Sequence, residues 1–163
     1  MKELLGWTSC RDRFVYVTDG GHFDNLGLVE LLRRGCTDIY CFDASGGDVD
    51  SLATLGKAIA IARSDLGVEV ELNSKRRGDL SGGIVAFTIR YSKSRVRGRM
   101  VFVRPIVTAD DPLDVRAYQA KDPEFPTHGT HDQLYTDQKF EAYRALGHAM
   151  AGRSIKKMEV LRK

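Results

Sequence analysis

The chain has 163 residues, 42% hydrophobic and 29% charged, with 25 Lys and Arg against 22 Asp and Glu for a formal charge of +3. A chain of this length forms one domain that buries roughly 68–70% of the surface its unfolded form exposes, and the composition excludes a disordered chain, a coiled coil and a disulfide-stapled mini-protein. No apolar run approaches the roughly 18 residues of a membrane-spanning helix, the first residues lack the apolar stretch of a signal peptide, and Cys10, Cys36 and Cys41 have no CxxC spacing, which suits core thiols in a reducing, cytoplasmic setting.

Residues 14–18, Phe14-Val15-Tyr16-Val17-Thr18, are β-branched and aromatic and stop at Asp19-Gly20-Gly21, which predicts a buried strand running into a tight turn. Residues 25–35 then place apolar side chains at helical spacing, with Asp24 or Asn25 as the cap, Arg33 and Arg34 in the last turn and Gly35 beyond it. A second strand is predicted over residues 38–42, ending at Asp43-Ala44-Ser45-Gly46, so the chain opens with the composition of a βαβ unit.

Leu52, Leu55, Ile59, Ala62 and Leu66 form one apolar stripe on a predicted helix over 51–66. A third strand follows at 68–72, and two more at 84–91 and 100–107, joined by the polar, basic loop 92–99 into an antiparallel hairpin. Residues 108–135, with Pro112, Pro123, Pro126 and Gly129, read as extended loop with a turn of helix at 113–120. The last predicted helix covers 137–151, with Phe140, Tyr143, Leu146 and Met150 on one face. The domain is expected to span 1–152, followed by a basic, mobile tail at 153–163.

Charge is unevenly distributed. Between residues 75 and 104 stand nine basic residues, Lys75, Arg76, Arg77, Arg90, Lys93, Arg95, Arg97, Arg99 and Arg104, against the single acid Asp79. Such a segment is attracted to an anionic membrane surface by about 1 kcal/mol per basic residue near the bilayer; it also reads simply as a solvated basic loop. No aromatic interleaving or nucleic-acid motif accompanies it, so nucleic acid is not an expected partner.

Asp19 at the carboxyl end of a buried strand, followed by two glycines that let the backbone turn into a helix, is aimed at the crevice where α/β folds bind ligands; the same aspartate also serves as a cap for its own loop. His22 beside the turn either lines a site or packs, and Asn25 either holds the loop presenting Asp19 or caps the helix. Asp43 has a site-supporting reading and a turn reading with Ser45. His128, His131 and Asp132 lack the spacing of a metal site, and Cys36 and Cys41 lie among apolar residues, so neither a metal, nor a cofactor, nor a cysteine nucleophile is expected.

The run from Val15 through Asp19-Gly20-Gly21-His22-Phe23-Asp24-Asn25-Leu26-Gly27 to Arg34 resembles the Asp-Gly-Gly block of bacterial patatin-like phospholipases and, more distantly, of cytosolic phospholipase A2. The similarity continues through Ile39-Tyr40-Cys41-Phe42-Asp43-Ala44 and returns in Phe125-Pro126-Thr127 and in residues 137–147. It implies the carboxyl-terminal part of an α/β, three-layer domain, with a mixed sheet, covering helices and a basic β-hairpin. It further implies lipid acyl hydrolysis by a Ser-Asp dyad in which Asp19 is the base, supported by Gly20, Gly21, His22 and Asn25, acting on phospholipid or another acyl ester. A serine hydroxyl is a poor nucleophile at neutral pH until a base takes its proton, and a carboxylate shielded from water does so.

No serine of this chain stands in the G-x-S-x-G elbow of such enzymes, whose elbow precedes the Asp-Gly-Gly block. The 163 residues alone are therefore expected to be inactive toward esters, to expose an incomplete sheet and to self-associate. Two alternatives use the same residues: a noncatalytic binding or assembly module of this fold, and a divalent-cation site held by Asp19 and Asp43.

Overall fold

The computed structural model describes residues 19–46, 52–73, 82–92, 94–129 and 131–163. Helix α1 (Gly21–Asp24) turns through Gly27, at a positive φ of 64° that favours glycine, into helix α2 (Leu28–Arg33). Strand β1 (Asp38–Phe42) follows, then helix α3 (Ala53–Ile61), which widens into a π-helical turn, Ala62–Leu66, and enters strand β2 (Val68–Leu72). Strands β3 (Ile84–Tyr91) and β4 (Arg97–Val103) form the expected antiparallel hairpin, and helices α4 (Leu113–Lys121) and α5 (Asp137–Arg162) complete the described chain.

The sheet has the order β1-β4-β3-β2 and is mixed. Strand β1 runs parallel to β4, with Asp38 opposite Arg99 and Phe42 opposite Val103, while β3 is antiparallel to both β4 and β2. Because strand side chains alternate between faces, β4 serves two cores at once. Met100 and Phe102 pack with Leu28 and Leu32 of α2 and Leu55 and Ala58 of α3, whereas Val101 and Val103 pack with Val115 of α4 and Leu146 and Met150 of α5. Helices thus cover both faces of an α/β sheet, which is the three-layer arrangement expected. On β1 the same alternation buries Ile39 and Cys41 and leaves Tyr40 and Phe42 exposed.

Strands β1, β2 and β3 occupy the predicted residues. Strand β4 starts three residues earlier than predicted and stops at Val103, ahead of Pro105, which has no N–H to give the ladder. The turn of helix read around 113–120 is a nine-residue helix preceded by Pro112. The largest difference lies at the end: α5 does not stop near Gly152 but continues to Arg162. Ser154 and Met158 extend the buried row of Leu146 and Met150, and Arg162 pairs with Asp38 at 2.8 Å, so residues 153–162 are packed helix and not a mobile tail. The predicted strand at 14–18 and the basic residues Lys75, Arg76, Arg77 and Lys93 lie outside the described residues. No described helix is long and apolar enough to cross a membrane.

The basic segment is less uniformly available than its composition indicates. Arg90 pairs with Glu71, Arg99 pairs with Asp38 at 2.8 Å, and Arg104 is buried. Arg95 and Arg97 remain exposed at the hairpin tip.

Candidate active site

Asp19 is an exposed residue directly before α1. Its Oδ1 accepts the Gly21 N–H at 2.8 Å, and its carbonyl accepts the His22 N–H at 3.1 Å, so side chain and backbone together start the helix. Among the described residues, the Gly21 bond is the only side-chain hydrogen bond Asp19 makes. An ideal Cβ on Gly21 would lie 2.8 Å from Asn25 Oδ1 and 3.4 Å from Asp19 Oδ1, whereas one on Gly20 meets nothing within 4 Å. The second glycine is the one the local packing needs. It lets Asn25 fold back over the turn, bringing Asp19, Gly21 and Asn25 together.

Gly27 occupies the N-cap position of α2, and the side chain that reaches its first turn is that of Asp24, not Asn25. Asp24 accepts the Val29 N–H on Oδ2 at 2.6 Å, a donor the first turn of α2 leaves open, and the Leu26 N–H of the preceding turn on Oδ1 at 3.1 Å. His22 is exposed, and its carbonyl oxygen accepts from Lys57 Nζ at 2.9 Å, tying α1 to α3. His22 is thus placed beside the turn.

Asp43, at the carboxyl end of β1, is buried. Its Oδ1 accepts from both the N–H and the Oγ of Ser45, at 3.1 and 2.6 Å, which is the turn role. Burial, with Asp43 and Asp24 adding negative charge nearby, pushes the Cys41 thiol up to about 12. A thiol held protonated this far above neutrality is no nucleophile. Asp43 stands at the carboxyl end of β1, the end where α/β sheets place their sites.

A polar cluster that the sequence did not reveal packs against that end. A Cβ on Gly46 would run into the His128 carbonyl oxygen, so the loop carrying His128 abuts the loop leaving β1. His128 Nε2 meets Asp122 Oδ2 at 3.1 Å and Nδ1 meets Tyr143 Oη at 2.7 Å, while Tyr118 Oη donates to the same Asp122 oxygen at 3.0 Å. Burial pushes the Tyr143 hydroxyl up to about 12, so it stays protonated beside Nδ1. Both ring nitrogens of His128 are occupied, and His131 lies exposed. Among the described residues, no three His, Cys, Asp or Glu side chains gather as metal ligands.

No protein-family model, no curated protein and no solved structure matches the chain.

Proposed function

We propose that this chain supplies the aspartate base of a patatin-like lipid acyl hydrolase, with Asp19 acting on a serine carried by a segment outside these 163 residues. The observation that supports the reading best is the convergence of Asp19, Gly21 and Asn25 at the start of a helix on a three-layer α/β core. The Gly21 N–H fixes one carboxylate oxygen and leaves the other for proton transfer. In this mechanism Asp19 takes the serine proton as the hydroxyl oxygen attacks the ester carbonyl, and returns it to the departing alcohol. Asp19 then takes a proton from the water that attacks the acyl-serine and hands it to the serine oxygen as that ester bond breaks, releasing the fatty acid and restoring the carboxylate. Backbone N–H groups hold the tetrahedral oxyanion. Gly20 and Gly21 allow the turn, Asn25 steadies it, and His22 borders it.

In this reading the substrate is a phospholipid or another acyl ester, and the protein works in the cytoplasm, at a membrane surface. Phe23, 51% exposed within α1, offers apolar contact beside the carboxylate. The exposed faces of Tyr40 and Phe42 on β1 support self-association of the isolated chain.

The test is hydrolysis of p-nitrophenyl esters by the chain alone and mixed with a polypeptide from the same reading frame that carries a G-x-S-x-G elbow. Activity confined to the mixture supports the proposal. Activity of the chain alone contradicts it. A folded, inactive mixture favours the assembly module.

A further inference from the structure

The opposite end of the sheet carries a cavity of about 540 Å³, bounded by the amino ends of β1 and β2, the carboxyl end of β3 and the turn into β4. Its walls include Leu32, Leu66, Val68, Tyr91 and Val96. Two helix ends leave this space open. The chain leaves α2 through Gly35, and the π-helical turn after α3 widens it before Gly67, with φ values of 69° and 63°. Such turns are frequent at functional sites. Tyr91 Oη donates to the Cys36 carbonyl and fixes one wall.

A shallower depression of about 320 Å³ adjoins it, sharing Tyr91, Ser94 and Val96 and adding Arg90, Arg95 and Arg97. The charges around the pair of hollows are unequal. Arg33 is taken by Glu30, Arg63 by Glu69 and Arg90 by Glu71, while Asp65 on the rim accepts the Ser64 hydroxyl. Arg95 and Arg97 have no ion-pair partner among the described residues, so two uncompensated cations face one carboxylate. An apolar hollow of this volume with a few polar groups at its mouth is the ordinary form of a small-ligand site.

We propose that this cavity binds a single-chain amphiphilic anion, its alkyl chain against Leu66, Tyr91 and Val96 and its oxyanion head on Arg95 and Arg97. Guanidinium groups hold carboxylate and phosphate oxygens by paired N–H bonds, and the apolar walls gain from covering an alkyl chain. The assignment is independent of ester hydrolysis at Asp19, since no residue of the Asp19 turn lines either hollow.

Isothermal titration of the full chain with laurate and with dodecyl phosphate, below their micelle concentrations, tests it. Saturable one-to-one binding of either supports the proposal, and the tighter of the two identifies a carboxylate or a phosphate head. Arg95→Ala with Arg97→Ala is expected to weaken binding by about tenfold or more, the loss of a charge-assisted hydrogen bond. Thr37→Glu, which places a carboxylate on the exposed rim without touching the core, is expected to do the same and serves if the arginine variant fails to fold. Three results overturn the proposal: no saturable binding, equal binding of uncharged dodecyl maltoside, or inorganic phosphate binding as tightly as dodecyl phosphate. Unchanged affinity in both variants overturns it as well.

Discussion

Gly21 and Asn25 share a space that only one of them can fill: a Cβ on Gly21 would stand 2.8 Å from Asn25 Oδ1. Gly20, one residue earlier at φ −56°, has open space where its Cβ would go. Gly20→Ala is therefore expected to leave stability within about 0.5 kcal/mol, as surface changes usually do. Gly21→Ala displaces the Asn25 side chain, which shows as a shifted Asn25 amide resonance. Adding Asn25→Ala should cancel the effect in a double-mutant cycle. Equal effects at the two glycines contradict this packing.

Asp24 holds the start of α2 through the Val29 N–H and the turn before it through the Leu26 N–H. Asp24→Ala is expected to lower unfolding stability by about 1–2 kcal/mol, whereas Asn25→Ala changes it little. Urea denaturation of the two variants checks the assignment, and the reverse ranking contradicts it.

Asp111 predicts an acid-sensitive contribution to stability. Burial acts to raise its pKa, but the Thr108 N–H at 2.7 Å, Arg153 Nη1 at 2.8 Å and the Thr108 hydroxyl outweigh burial and hold the carboxyl below its usual range. A pKa lower in the folded than in the unfolded state contributes stability that is complete above the unfolded value and disappears as pH falls through the folded one. The loss therefore belongs below about pH 4. Arg153 Nε and Nη2 are buried with no hydrogen-bond partner, so the guanidinium depends on this carboxylate. Asp111→Ala is expected to cost about 3 kcal/mol at neutral pH. Asp111→Asn should flatten the acid limb of the stability curve, and an unchanged limb contradicts the assignment.

The end of α5 is part of the core. Met158 is completely buried, so Met158→Ala should cost about 2–5 kcal/mol, and deletion of residues 153–163 should destabilise the chain at least as much. Thermal unfolding of both variants checks this, since a mobile tail would leave the transition unmoved.

The strands were legible where β-branched and aromatic residues run together, as in Ile84-Val85-Ala86-Phe87-Thr88-Ile89, because a strand covered on both faces is a nearly continuous apolar run. Helix ends were less so. Gly152 reads as a stop, yet its cost of about 1 kcal/mol relative to alanine is outweighed by the apolar surface that Met158 buries further along the helix, a tertiary effect invisible locally. Asp24 and Asn25 are adjacent and equally suited to capping, and only the fold decides between them. Asp19, Gly21 and Asn25 fall within seven residues and were found together. Asp122, His128 and Tyr143 meet from a helix cap, a loop and a second helix, with no spacing that announces the cluster.

The most direct test of the account compares Asp19→Asn with Asp43→Asn in p-nitrophenyl ester hydrolysis, each mixed with the elbow-bearing segment and each shown to be folded. Asp43 holds a turn through Ser45, and asparagine can keep that bond, so its variant should retain most of the activity. Loss of the base should reduce kcat by about 10²–10⁴-fold in Asp19→Asn. Full activity in Asp19→Asn would contradict the assignment of Asp19 as the base.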